Sequence, residues 1–64
     1  MRKVSGDVEL WVSEFETESG HEWVVTKGFT PHGAPITVAS GSNSKRDVSI
    51  KDAMEKYNEL IGNI

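Results

Sequence analysis

Residues 8–29 constrain this chain more than any other part of it. Two stretches rich in β-branched and aromatic side chains, 8–17 and 22–29, flank the triplet Glu18-Ser19-Gly20. Such side chains suit a pleated surface and lose rotamer freedom in a helix, so both stretches read as strands. Gly20 stands third in the triplet, where a three-residue hairpin loop takes a left-handed residue. The next turn, Pro31-His32-Gly33, follows the same logic, with Pro presetting its own φ and Gly closing the loop. Residues 35–40 then form a third strand. Its leading Pro35 cannot donate a ladder hydrogen bond, which suits the start of an edge strand and leaves 22–29 in the middle.

The lead-in, residues 1–6, is polar and is given no role. Residues 41–46 read as a polar loop. Beyond it Ser49 has the chemistry of a helix cap, with Asp52 three residues on to complete a capping box and Val48 to staple onto Ala53. Ile50, Ala53, Met54, Tyr57, Leu60 and Ile61 recur at spacings of three and four and make one apolar stripe. Lys51, Glu55, Lys56 and Glu59 take the other side, and Gly62 closes the helix in a left-handed cap. The expected architecture is α+β: a single domain over 1–64 with a three-stranded antiparallel meander (8–17, 22–29, 35–40) and one C-terminal helix (50–61) packed on one face.

Counting from three-residue loops pairs Thr17 with His21 and Thr30 with Ala34, so that Phe15 faces Trp23, Trp11 faces Lys27 and Val24 faces Ser40. One side then collects Val8, Leu10, Val12, Val24, Ile36 and Val38, which match the helix stripe and are assigned to the core. The other presents Trp11, Phe15, Trp23, Val25 and Phe29, with Lys27 among them. Two alternatives stay open: a two-residue Ser19-Gly20 loop would carry Trp23 and Val25 to the side of Leu10 and Val12, or the aromatics lie under the helix and the aliphatic side is free. In each case one helix leaves an apolar surface uncovered, and such patches on small proteins mark binding sites.

Composition narrows what that surface binds. With 64 residues and no cysteine, the chain has neither disulfides nor a Cys-based zinc site to staple it. No stretch nears the ~18 apolar residues of a membrane span, and a cytoplasmic location is expected. The net charge is −3, and residues 4–26 hold six acids without one Lys or Arg. Glu14, Glu16, Glu18 and Glu22 crowd one hairpin end, as a solvated tip or as a match for a basic partner. Paired carboxylates also suit acid–base catalysis, but that requires a desolvating pocket a domain this small hardly provides. His21 and His32 lie in or beside turns at opposite ends of the middle strand and do not converge as metal ligands. No enzyme activity, cofactor or metal is expected. Lys45, Arg46 and Lys51 form a modest basic spot before the helix, the candidate nucleic-acid contact.

Three short strands, Gly33-Ala34-Pro35 between the second and third, then Lys45-Arg46-Asp47 and an amphipathic helix resemble the arm-type DNA-binding domain of some tyrosine integrases. The resemblance spans most of the chain and implies a sheet face that enters the DNA major groove. The family fills that face with basic and polar side chains, whereas this chain places Trp11, Phe15 and Trp23 there.

The expected function is therefore a small non-enzymatic protein that binds another protein, as an inhibitor or regulator of the phage or mobile-element type. Its expected contacts are Trp11, Phe15, Trp23, Lys27 and Phe29, rimmed by Glu14, Glu16 and Glu18. Self-association through the same face is a second version, and nucleic-acid binding by the sheet or by Lys45 and Arg46 is the alternative.

Overall fold

The computed structural model describes residues 1–62. The elements run β1 (Arg2–Ser5), β2 (Val8–Val12), β3 (His21–Phe29), β4 (Pro35–Asn43) and α1 (Arg46–Leu60). The strands form one antiparallel sheet in the order β1-β2-β3-β4. The fold class is thus α+β with a C-terminal helix, but the sheet has four strands rather than three. The additional strand is the supposed lead-in. Ser5 pairs with Val8, which leaves Gly6-Asp7 as a two-residue loop, and Gly6 has φ +62. A hairpin turn with a left-handed first central residue suits the twist of the strands it joins.

The pairing of β2 with β3 also departs from expectation. Val12 opposes Trp23, Leu10 opposes Val25 and Val8 opposes Lys27, so neither Phe15 with Trp23 nor Trp11 with Lys27 is a pair. The chain reverses at Thr17 and Gly20, whose backbones exchange hydrogen bonds of 2.8 and 2.9 Å, leaving Glu18-Ser19 as the loop. Further along, the Ser13 amide donates to the Glu22 carbonyl at 2.8 Å. Between these points Glu14, Phe15 and Glu16 stand against His21 alone. Relative to the expected register β3 slides by three residues, an odd number, and an odd slide sends each side chain to the other face. Trp23 and Val25 therefore join Val8, Leu10 and Val12 beneath the helix, while Val24 leaves the assigned core. The face change anticipated for a shorter loop is realised, although Glu18-Ser19 and the 14–16 insertion produce it.

The β3–β4 hairpin follows expectation more closely. The Thr30 amide donates to Ala34 O at 2.8 Å around Pro31-His32-Gly33, and Val24 opposes Ser40. The ladder steps irregularly between Val25 and Thr26 and again between Thr26 and Phe29. At the second step Gly28 has φ +77 and its amide donates to Asp7 O at 3.0 Å, a bulge of the kind a lone strand glycine marks. These steps interrupt the alternation of β4, and Ile36 and Val38, expected in the core, are exposed. β4 continues through Gly41, Ser42 and Asn43, where the sequence predicts a loop.

The helix starts at Arg46, four residues before the expected 50, with Lys45 at its cap position. Ser49 caps nothing. It is fully buried, and its hydroxyl donates to the His21 carbonyl at 2.6 Å, fastening the first turns of α1 to the start of β3. Ser49, Ala53 and Tyr57 form the buried line of the helix, and the small first two bring its backbone close to the sheet. Ile50, Met54 and Leu60 pack around the core of Val8, Leu10, Val12, Val25, Ala53 and Tyr57, while Ile61 is exposed. Gly62, at φ +73, donates to Glu59 O and ends the helix in the left-handed cap its sequence suggested.

Gly20 is required twice over. It has φ +94, and a Cβ built on it would lie 2.6 Å from the Asn43 carbonyl oxygen, which is backbone and cannot swing aside. Gly33 has a similar φ of +86 but open space around it. Gly20→Ala is expected to destabilise the domain by about 3 kcal/mol and Gly33→Ala by about 1 kcal/mol, since strain acts at both sites and overpacking only at the first. Urea unfolding of the two variants checks this; equal losses would show that Gly20 answers only to its dihedral angle.

Candidate functional site

Alternation along the ladder assigns one row of residues to the side of the sheet away from α1. Arg2 opposes Trp11, Trp11 opposes Val24, and Val24 opposes Ser40, so one lateral row crosses all four strands. The row beside it runs from Val4 through Glu9 to Thr26. Trp11 stands in the first row with 46% of its surface exposed. Beside it is an open cleft of about 410 Å³, lined by Trp11, Glu22, Trp23, Val24, Ser40, Gly41 and Ser42, with Ser19 of the Thr17–Gly20 turn completing its wall.

The wall is held firmly. Thr17 Oγ1 donates to Gly20 O at 2.8 Å and accepts from the Ser19 amide at 3.2 Å, and Gly20 packs against the backbone of Asn43. On the far side of Trp11, Arg2 Nε is paired with the Glu9 carboxylate. Glu22 has no ion-pair partner among the described residues. The lining thus combines two tryptophans, one valine, one glycine, three serines and one carboxylate.

The expected aromatic face is dispersed by this arrangement. Trp11 lies on the open side as expected, and Phe29 is 60% exposed opposite Pro35 at the distal end of the β3–β4 hairpin. Trp23 belongs to the other side: its indole lies across Gly41, where a Cβ would meet ring atoms at 2.9 Å, and packs on the core. Phe15 is 83% exposed but sits in the insertion between β2 and the hairpin turn, outside the sheet. Lys27 opposes Val8 and so shares the helix side, where it is exposed. Glu16 and Glu18 are exposed on the connection as expected of a tip.

Glu14 has a different role. Its carboxylate takes a 2.5 Å contact from the Met1 ammonium and a 3.3 Å contact from Arg46 Nη2. Arg46 is the first residue of α1, where a positive charge opposes the helix dipole, and Glu14 offsets it. The Met1 ammonium, by hydrogen bond and by charge, and then Arg46 hold the Glu14 carboxyl below its ordinary value. Of the expected basic spot, Arg46 is therefore occupied within the fold, and Lys45 and Lys51 remain as exposed single charges. No group of three or more His, Asp or Glu side chains among the described residues is placed to hold a metal ion. No helix among them is long and apolar enough to cross a membrane.

Arg2, Val4, Glu9, Val24, Ser40 and Ser42 were not singled out as site residues. Arg2 and Val4, and with Arg2 the partner of Glu9, were hidden by the missed strand, and Gly6-Asp7 between Val4 and Val8 is the signal that marks it. Comparison with family models, with curated proteins and with solved structures finds no match to this chain. The likeness to integrase arm-type domains therefore rests on the order of elements alone, and the fourth strand departs from it.

Because the folded carboxyl of Glu14 titrates below its unfolded value, its contribution to stability is complete above the unfolded pKa and is lost as pH falls through the folded one. Glu14→Gln is expected to be less stable than the wild type at pH 7, with the two denaturation midpoints converging as pH is lowered past about 4. A gap that persists unchanged into strong acid would mean that packing of the 14–16 insertion, and not the charge, is responsible.

Proposed function

We propose that this chain is a non-enzymatic binding domain that recognises another protein through the open side of its sheet, with Trp11 as the anchor. The observation that supports this reading is the exposure of Trp11 beside a preformed cleft, on a face to which the single helix contributes nothing. Indoles dominate binding energy where a partner desolvates them at the centre of a patch. Val24 in the same row, with Val4 and Phe29 toward the margins, supplies apolar surface around it. A domain of this size acts by occupying a partner's surface, as an inhibitor or a regulator does.

Two changes follow for the expected contacts. Trp23 is withdrawn, because its ring is spent on the core and on Gly41. Phe15 becomes a separate contact on the insertion, flanked by Glu14 and Glu16. Nucleic acid is the weaker alternative, since the open side carries Glu9 and Glu22 and its Arg2 is already paired. Phosphate binding rests on clustered free cations, which this face lacks.

The test is affinity capture from the source cells with the wild type, Trp11→Ala and Phe15→Ala, reading the retained proteins by mass spectrometry and the fold by circular dichroism. Trp11→Ala is expected to keep a native spectrum, because its side chain lies off the core, and to lose about tenfold or more of the captured partner. Phe15→Ala is expected to retain most of it. Capture that Trp11→Ala leaves unchanged, or retained material that is nucleic acid released by moderate salt, overturns the reading.

A further inference from the structure

We infer that the cleft beside Trp11 is a seat for an arginine side chain of the protein partner, with the guanidinium stacked on the indole and paired to Glu22. This rests on, and specifies, the protein-binding reading given above.

Three features of the cleft favour a cation. Trp11 forms one wall, and an indole face attracts positive charge through its quadrupole. Glu22 lines the same cleft with no ion-pair partner among the described residues, in contrast to Glu9 and Glu14, which are each engaged. The remaining polar lining is Ser19, Ser40 and Ser42, whose hydroxyl oxygens accept hydrogen bonds without adding charge. Arg2 opposes Trp11 across the ladder but is turned to Glu9. The lining thus holds one carboxylate and no cation.

Shape favours arginine over lysine. A guanidinium is flat, weakly hydrated and carries its donors in one plane, so it can lie on an indole while reaching a carboxylate and hydroxyls at its edge. An ammonium is compact and strongly hydrated, and a lining with a single carboxylate replaces little of its water. The seat is also built in advance. The Thr17–Gly20 turn is fixed by its own hydrogen bonds and by the packing of Gly20 on Asn43, so Ser19 stays over the end of the cleft without the partner's help. The net charge of −3, concentrated in the first half of the chain, draws a basic segment toward this end.

The proposal is tested without the partner. Nα-acetyl-arginine methylamide is titrated into the ¹⁵N-labelled chain, with the corresponding citrulline and lysine amides as controls. The expected result is a saturable shift of the Trp11 indole N–H and of the Glu22 and Ser40 amides, with a Kd on the order of 10 mM, while the core amides of Ala53 and Tyr57 are unmoved. Citrulline is expected to give no saturable shift, lysine about threefold weaker binding, and Glu22→Gln about fivefold weaker binding of arginine. Equal shifts with arginine and citrulline, lysine binding as tightly as arginine, or no saturation up to roughly 100 mM each overturn the seat. If arginine binds as described while Trp11→Ala still captures the same proteins, the seat stands and the docking surface fails. If capture depends on Trp11 but arginine does not bind, the surface stands and its occupant is another side chain.

Discussion

The pairing of Val12 with Trp23 is the constraint on which the rest of the molecule depends. It assigns Val8, Leu10, Val12, Trp23 and Val25 to one side of the sheet and Trp11 and Val24 to the other. A large aliphatic side chain taken fully out of water contributes about 1.5–3 kcal/mol, and this register gathers Val8, Leu10, Val12 and Val25 in the core with Trp23 half-buried against them. The cost is a gap in the ladder. Glu14, Phe15 and Glu16 are extruded against a single residue, His21, and their backbone is left to solvent and to local contacts such as Ser13 Oγ with Phe15 O at 2.6 Å. Two of the three are glutamates, which tolerate that exposure.

The extruded residues do more than take up slack. Glu14 reaches Arg46 at the start of α1, and on the adjoining stretch Ser49 donates to His21, the one residue that stands opposite the insertion. Register and helix placement are therefore coupled: the slide that brings Trp23 under the helix also puts His21 where Ser49 can meet its carbonyl. A longer side chain than serine there would hold the helix away from the sheet, and Ala53 one turn later meets the same demand for closeness. The helix covers one side through this close approach and has no means of covering the other.

What was legible in the sequence was the local part. The Thr30–Ala34 turn, the Val24–Ser40 pair that follows from it and the Gly62 cap rest on local signals and are present, and of the helix stripe Ile50, Ala53, Met54, Tyr57 and Leu60 meet the core while Ile61 does not. The β2–β3 register was not legible, because Glu18-Ser19-Gly20 accommodates loops of two or three residues and nothing nearby reveals an insertion of glutamates before them. The first strand was missed because its hairpin loop is only Gly6-Asp7 and its own residues, Arg2-Lys3-Val4-Ser5, carry no apolar alternation. Ser49 was misread because the residue that caps a helix is also one small enough to be buried against a sheet. Of the candidate site, Trp11 was legible and its company was not: neighbours across a ladder follow from register, and an error of three residues exchanged Val24 for Lys27.

The core does not call for a tryptophan at position 11. Elsewhere on the open side the strands use Thr26, Thr37, Ser40 and Ser42, residues that satisfy a pleated surface without adding exposed apolar area. Threonine at position 11 would serve the ladder equally well, and the core, which lies on the opposite side, would be unchanged. A single exposed apolar residue on a small protein calls for no explanation. Trp11 differs because its cross-strand neighbour is Val24, because a fixed turn walls the cleft beside them, and because a carboxylate without an ion-pair partner lines that cleft. Stability accounts for the side of the sheet under the helix, and the proposed docking surface is the reading that accounts for this arrangement.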